Sequence, residues 1–371
     1  MSSAWKVGRV LGIPIRIHYT WVIIFVLITV SLVTYVPGSA AYPLVERVFF
    51  GVVTSLLFFI SITIHELFHS IVAVKSGIPV KDITLFVFGG VSQITREAGR
   101  PGTELIMAIM GPVSSYALAG VFFGLTMLMD AGGYELASVF ASWLAYINLV
   151  LGTFNLIPGF PLDGGRVLRS IIWLVSGNYA KATMVATTVG RVVAYLFIFG
   201  GILVLFTQDW FAGLWLAFIG WFLESAASSS QRQAALREAL RDYKVRDVMT
   251  PECISIGPGV SVSQLVHDYI LPTGRRCALV LDQGNLLGVV SLSDIKTASR
   301  ETWERTRVAD IMTPVNKLKW VAPDEPAINL FERMDDYDVN QLPVIENGRV
   351  IGLVARDNVI RFLRTKAELG I

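Results

Sequence analysis

Two of the chain's four histidines stand four residues apart, in His65-Glu66-Leu67-Phe68-His69. On a helix that spacing puts both imidazoles on one face, one turn apart. That is the spacing for two nitrogen ligands on one zinc ion. Glu66, one residue on, then sits beside the metal without binding it and can take a proton from water. The same pattern occurs by chance on surface helices of soluble proteins. Here it interrupts a long apolar stretch, where ionisable side chains are costly and mark function. The other two histidines have no partners by pattern: His18 reads as interfacial and His267 as structural.

A catalytic zinc takes three protein ligands and leaves one position for water. Glu46, Asp130, Glu135 and Asp209 fall on the far side of the apolar stretches, Glu97 and Glu104 at the near surface, and Glu224 near the end of the last stretch. Asp163 stands out, in Asn155-Leu156-Ile157-Pro158-Gly159-Phe160-Pro161-Leu162-Asp163-Gly164-Gly165-Arg166. Pro158 and Pro161 break a helix there, and the paired glycines allow close backbone approach. Irregular backbone at membrane depth is tolerated only where it lines an enclosed cavity. The plainer role for Asp163 is a helix cap.

These residues need a frame. The chain has 371 residues, 53% hydrophobic and 16% charged, whereas an average soluble domain is about 25% charged. The deficit lies on one side. Residues 1–230 carry 12 Lys/Arg and 10 Asp/Glu, and residues 231–371 carry 19 of each. A membrane-like part is therefore joined near residue 230 to an ordinary soluble part. This excludes a single soluble enzyme, a disordered chain and a disulfide scaffold. The two cysteines, Cys253 and Cys277, fall in the soluble part and read as reduced core thiols. A net charge of +2 without a basic stripe leaves nucleic acid aside as a partner. The first apolar run lacks a small-residue cleavage site and reads as a retained span.

Six candidate spans are 20–36, 48–74, 104–129, 137–156, 185–206 and 210–227. Lys6, Arg9, Arg16, Lys75, Lys81, Arg96, Arg100, Arg166, Arg169 and Lys181 fall on one side of them; Glu46, Arg47, Asp130, Glu135 and Asp209 fall on the other. Positive charge marks the cytosolic side, so both termini of this multi-pass cell-membrane protein are expected in the cytosol. Counting back from Lys75 at 1.5 Å per residue, His69 lies about 9 Å and His65 about 15 Å into the bilayer. Residues 9–18, RVLGIPIRIH, alternate as one strand. Residues 79–95 read as a β-hairpin turning at Gly89 and Gly90, which must lie at the interface or under protein.

HExxH in one span with N-x-x-P-x-x-P-L-D-G-G-R at the end of a later one resembles the site-2 protease family of intramembrane zinc metalloproteases. Leu85-Phe86-Val87-Phe88-Gly89-Gly90-Val91 is similar to that family's membrane-associated strand motif. The resemblance covers about residues 9–227. It implies one zinc ion on His65, His69 and Asp163, Glu66 as general base, and Asn155 positioning substrate or the oxyanion. One departure is visible. Where the family often has Gly-Pro, two residues and Asn, this chain has Gly111-Pro112-Val113-Ser114-Ser115. The chemistry implied is hydrolysis of a peptide bond in a transmembrane or membrane-anchored protein, with Glu66 moving the proton. A helical substrate must unwind first, and the hairpin could hold the unwound strand by β-addition, a step that proline at Val87 would break.

Residues 229–243 read as a polar, helical linker. Beyond them Val245-Arg246-Asp247-Val248-Met249-Thr250-Pro251 returns as Val308-Ala309-Asp310-Ile311-Met312-Thr313-Pro314, an offset of 63. Leu287-Gly288-Val289-Val290-Ser291-Leu292-Ser293-Asp294 returns as Ile351-Gly352-Leu353-Val354-Ala355-Arg356-Asp357-Asn358, an offset of 64. Two copies of one helix–strand–strand–helix unit are expected to bury a shared face. The repeat resembles a tandem pair of CBS domains. That resemblance implies adenine-nucleotide (AMP, ADP or ATP) binding, with Ser291 on phosphate and Asp294 on the ribose hydroxyls, and dimerisation. Ala355 and Asn358 match the family motif less well, so one good and one degraded site are expected. The plainer role for Asp294 is a helix cap.

The fold class read here is an α-helical polytopic membrane domain of six transmembrane helices with a membrane-associated β-hairpin, residues 1–228. The linker 229–243 and a soluble α+β tandem CBS domain pair, residues 244–304 and 305–371, follow. The function read is zinc-dependent intramembrane proteolysis modulated by nucleotide. The rivals are a CBS-regulated ion channel or metal transporter, and a pseudo-protease that binds helices without cutting. A transporter needs the ligands but no base beside them; the complete His65, Glu66, His69 and Asp163 set speaks against a pseudo-protease.

Overall fold

The computed structural model describes residues 4–35, 41–87, 89–94, 97–207, 210–250, 254–275, 277–337, 339–347 and 349–369. Phe88, Arg96, Asp209, Pro251 and Cys253, all used above, lie outside the described residues. The chain divides into two compact units, Met1–Ala235 and Leu236–Ile371.

The first unit opens with β1 (Ala4–Val10) and β2 (Ile13–His18), then α1 (Trp21–Tyr35) and α2 (Leu44–Lys75). Next come β3 (Val80–Phe86), β4 (Gly89–Ile94), α3 (Pro101–Ala131) and α4 (Glu135–Asn155). Last are α5 (Asp163–Ser176), α6 (Tyr179–Leu205) and α7 (Trp210–Leu240). Among the described residues five helices, α2, α3, α4, α6 and α7, are long and apolar enough to cross a membrane. The first of the six expected spans corresponds to α1, which is 15 residues long. That is about 22 Å at 1.5 Å per residue, against a hydrocarbon core of about 30 Å.

Local chemistry sets the ends. Pro101 starts α3, where a missing N–H costs nothing. The Asn178 side chain accepts from Lys181 N at the start of α6, and Gly177 closes α5 in the left-handed conformation. The buried face of α2 carries small polar side chains. Ser55 and Ser61 satisfy themselves on carbonyls one turn back, at 2.9 Å each, and so let neighbouring helices approach.

One four-stranded sheet, ordered β1-β2-β3-β4, lies beside these helices. β1 and β2 are antiparallel, β2 and β3 parallel, β3 and β4 antiparallel. Residues 9–18 are therefore two strands, not one. The chain reverses at Leu11 and Gly12, both at positive φ. Alternation alone hid the reversal, because it continues through the turn. Val87 falls in the β3–β4 turn, outside either strand.

In the second unit β5 (Ile254–Ile256) runs parallel to β6 (Cys277–Asp282). β6 pairs antiparallel with β7 (Asn285–Ser291), and β7 with the short β8 (Thr313–Pro314). β9 (Gln341–Glu346) and β10 (Arg349–Ala355) form the second hairpin. The opening segment of each copy belongs to the core of the other. Leu240, Val245 and Val248 pack with Leu330, Leu342, Val344 and Val354, while Val308 packs with Val262, Val280 and Val290. Thr250 exchanges backbone hydrogen bonds with Leu353 at 2.8 and 3.0 Å. The repeated glycines explain themselves here. A Cβ on Gly288 would lie 2.4 Å from Thr313 O, and one on Gly352 would lie 2.8 Å from Thr250 O. Lys244 and Arg246 reach Asp324, and the hydrogen bond from Lys244 with the charge of Arg246 holds that carboxyl below its ordinary value.

Candidate metal centre

His65 and His69 both face inward from α2, each 4% exposed. Their Nε2 atoms are 3.2 Å apart. Asp163 Oδ2 lies 3.1 Å from each. These are the three groups whose donor atoms converge tightly enough to hold a metal ion, among the described residues.

The far nitrogens are spoken for. His69 Nδ1 lies 2.6 Å from the Met107 carbonyl of α3, and His65 Nδ1 lies 2.8 Å from Ser115 Oγ, also on α3. A carbonyl only accepts, so a neutral His69 must donate from Nδ1 and present the lone pair of Nε2. That lone pair then faces a carboxylate oxygen. Two acceptors in contact repel unless a cation lies between them. Ligand atoms at 2.0–2.1 Å around a tetrahedral metal lie about 3.3 Å apart, close to the separations here. The donor set, its spacing and its supporting partners fit zinc.

Asp163 reaches the pair because the chain breaks. α4 stops at Asn155, and α5 starts at Asp163 after Pro158 and Pro161. A Cβ on Gly164 would lie 2.3 Å from Leu156 O, and one on Gly165 would lie 2.3 Å from Phe160 N. Only glycines let the start of α5 rest on the loop that precedes it. The cap residue of α5 is Leu162, without a side-chain cap bond, so the Asp163 carboxylate is turned to the histidines rather than to helix capping. From the other side α3 presents Gly111, whose Cβ would lie 2.2 Å from His69 Nε2.

Glu66 is half-buried under β4. Its Oε2 accepts from Ser92 Oγ at 2.8 Å, and a Cβ on Gly90 would lie 2.8 Å from its Cγ. Asn155 is half-buried at the end of α4. His267 and His18 bond locally, to Ser263 O and Thr20 Oγ1.

Two cavities of the second unit bear on the sequence motifs. One, about 280 Å³, is lined by Ser291, Asp294, Lys317 and Lys319 among others. The other, about 700 Å³, is lined by Arg275, Ala355, Asp357, Asn358 and Arg361 among others. Ser291 and Asp294 also engage each other. Asp294 Oδ2 accepts from Ser291 N at 2.8 Å and Ser291 Oγ at 2.7 Å, at the start of the helix Leu292–Ile295. Asn358 donates to Thr250 Oγ1 at 2.6 Å.

The profile of peptidase family M50 matches residues 53–135 and 130–198, and that of the CBS domain matches residues 245–301 and 308–365. "Putative zinc metalloprotease sll0528" of Synechocystis sp. is 34% identical over 99% of this chain and 97% of its own length. The chain belongs to peptidase family M50. "Zinc metalloprotease MJ0392" of Methanocaldococcus jannaschii is 28% identical over 100% of this chain and 99% of its own length. The solved site-2 protease of that organism is 30% identical and covers 62% of this chain and 95% of its own, with a TM-score of 0.44. This M50 chain is thus a zinc metalloprotease with a helical, membrane-like region and a CBS pair.

Some of the protease's site environment escaped the sequence. Ser92, Met107 and Arg169 carried no motif. Glu104, read as a surface acid, is 1% exposed and paired with Arg169. Arg169, read as a cytosolic-side charge, is 6% exposed. A charge near a span end usually faces headgroups; here a later helix supplies a partner.

Proposed function

We propose that this chain is an intramembrane zinc endopeptidase that hydrolyses peptide bonds of transmembrane or membrane-anchored proteins. His65, His69 and Asp163 hold one zinc ion, Glu66 is the general base, and Asn155 positions substrate. The carrying observation is the convergence of two imidazole nitrogens and a carboxylate oxygen within 3.1–3.2 Å of one another, with both imidazoles held from behind by α3. Zinc bound there supplies a Lewis acid and brings the pKa of water to about 7. Glu66 takes a proton from the attacking water and delivers it to the leaving nitrogen. Ser92 holds one oxygen of the Glu66 carboxylate. The free edge of β4, which lies over Glu66, accepts the unwound substrate as an added strand.

The remaining assignments belong to the same reading. α1 completes six spans, both termini are cytosolic, and the sheet lies at the membrane interface. The partition is residues 1–228, a linker 229–243, and CBS domains 244–304 and 305–371. Adenine nucleotide binds beside Ser291 and Asp294, where Lys317 and Lys319 in the same cavity supply charge for phosphate. The CBS pair dimerises and modulates cleavage.

The test is zinc analysis and cleavage of a membrane-anchored substrate by wild type and Glu66→Gln. About one zinc in both is expected, with cleavage falling about 100- to 10,000-fold in the variant. Equal zinc-dependent ion flux in both proteins with cleavage in neither would favour the transporter.

A further inference from the structure

The metal centre depends on two helices besides α2. Asp163 comes from α5, and the Met107 carbonyl that orients His69 comes from α3. One buried ion pair joins α3 to α5. Glu104 Oε1 accepts from Arg169 Nε at 2.7 Å and also from Arg169 Nη2. Arg166 Nε, one turn nearer Asp163, lies 4.0 Å from the same oxygen. The Arg169 guanidinium sits between two rings, 4.7 Å from the Phe160 centroid and 4.8 Å from that of Tyr179. Phe160 belongs to the loop that delivers Asp163. Tyr179 opens α6, and its hydroxyl bonds Glu97. One side chain therefore touches α3, the loop that delivers Asp163 and the start of α6.

Stability does not account for this pair. Desolvation offsets most of the attraction between buried charges, and well-packed apolar residues are often as stable or more so. The pair is also incompletely satisfied: Glu104 Oε2 is buried without a hydrogen-bond partner among the described residues. What the pair adds over apolar packing is direction, since the planar guanidinium fixes distance and angle together.

We propose that Glu104 and Arg169 are a positioning pair that sets the reach of Asp163 toward His65 and His69. Glu104 stands three residues before Met107, and Arg169 six residues after Asp163. The pair therefore fixes the two strands of support, carbonyl and carboxylate, in one register. This rests on the zinc reading given above.

The test measures zinc affinity of the full-length protein in detergent, by competition with a chromogenic chelator, alongside thermal unfolding. Glu104→Gln and Arg169→Met should each weaken zinc binding about 10- to 100-fold, the range for losing an outer partner of a ligand. Arg169→Lys, which keeps the charge but not the fork, should fall between. Arg191→Met, which breaks the Arg191–Glu224 pair of α6 and α7 (3.5 Å), should lower the unfolding temperature and leave zinc affinity alone. Unchanged zinc affinity in Glu104→Gln and Arg169→Lys overturns the proposal, whatever their unfolding temperatures. An equal fall in Arg191→Met also overturns it, because the effect would then be general loosening. If Arg169→Met does not fold, the two milder variants decide. A wild type that takes up no zinc overturns the metal reading itself, a result distinct from any failure among the variants.

Discussion

In the membrane unit, motif residues 98 positions apart meet across helices, each turning its donor atom toward a common centre. In the CBS pair, motif residues three positions apart turn toward each other. His65, His69 and Asp163 aim two imidazole nitrogens and a carboxylate oxygen at one point, where only shared protons or a metal ion can join them. Ser291 and Asp294 complete each other locally, since a hydroxyl and an amide meet a carboxylate. The first group is assembled from two helices around a shared point, and the second closes on itself. A convergent set of like groups is a stronger sign of function than a motif whose members complete a local turn.

The sharpest way to break the first half of that contrast is to crowd its centre. Alanine at Gly111 would put a methyl 2.2 Å from His69 Nε2. The imidazole or α3 must then move, and overpacking costs about 1–3 kcal/mol in its own right. Gly111→Ala is expected to lose both zinc and cleavage. Its zinc affinity should fall at least as far as for a lost outer partner, about 10- to 100-fold. Alanine at Gly124, with open space around its Cβ position, is the control and should keep both. Normal zinc in Gly111→Ala would show that the convergence is looser than these distances state.

A second effect, smaller because it spares the metal, concerns β4. Strand addition uses only the backbone groups that point away from β3. Single prolines at Val91, Gln93 and Ile94 should therefore alternate, Ser92 being spared because its hydroxyl holds Glu66. Those whose N–H faces the open edge should reduce cleavage and keep zinc, while those facing β3 should disturb the sheet. Proline at Val87 is a poor probe, because that residue sits in the turn. Loss of cleavage without alternation would remove strand addition from the mechanism.

What the sequence disclosed follows the same division. His65, Glu66 and His69 were legible because one helix sets their spacing. Asp163 was legible because prolines and glycines interrupt an apolar run there. Ser92, Met107 and the Glu104–Arg169 pair were not, since each depends on how separate elements pack, and packing leaves no spacing to read. In the second unit the repeat made the strand pairs β6–β7 and β9–β10 legible. β5, three residues long, is too short to show alternation. The exchange of opening segments between copies was hidden as well. Its trace was the recurring glycine, Gly288 in one copy and Gly352 in the next, which seats the other copy's Thr313 or Thr250 carbonyl.

The smallest expected effect tests whether the satisfied pair in the soluble unit has a second role. Asp294→Ala removes the reciprocal half of the capping box that Ser291 opens at the helix Leu292–Ile295, a loss of at most about 1 kcal/mol. A cap alone predicts that loss and no change in nucleotide affinity, measured by calorimetry with AMP and ATP on the full chain. A residue that also takes the ribose hydroxyls predicts both the loss and weakened binding, which is the outcome we expect. Asn358→Ala breaks the bond to Thr250 and should leave nucleotide affinity unchanged. Binding that survives Asp294→Ala but is lost in Arg361→Ala would move the ligand to the larger cavity of about 700 Å³, where Arg275 and Arg361 line the wall. The Ser291–Asp294 pair would then be what its geometry already satisfies, a helix cap with no ligand to hold.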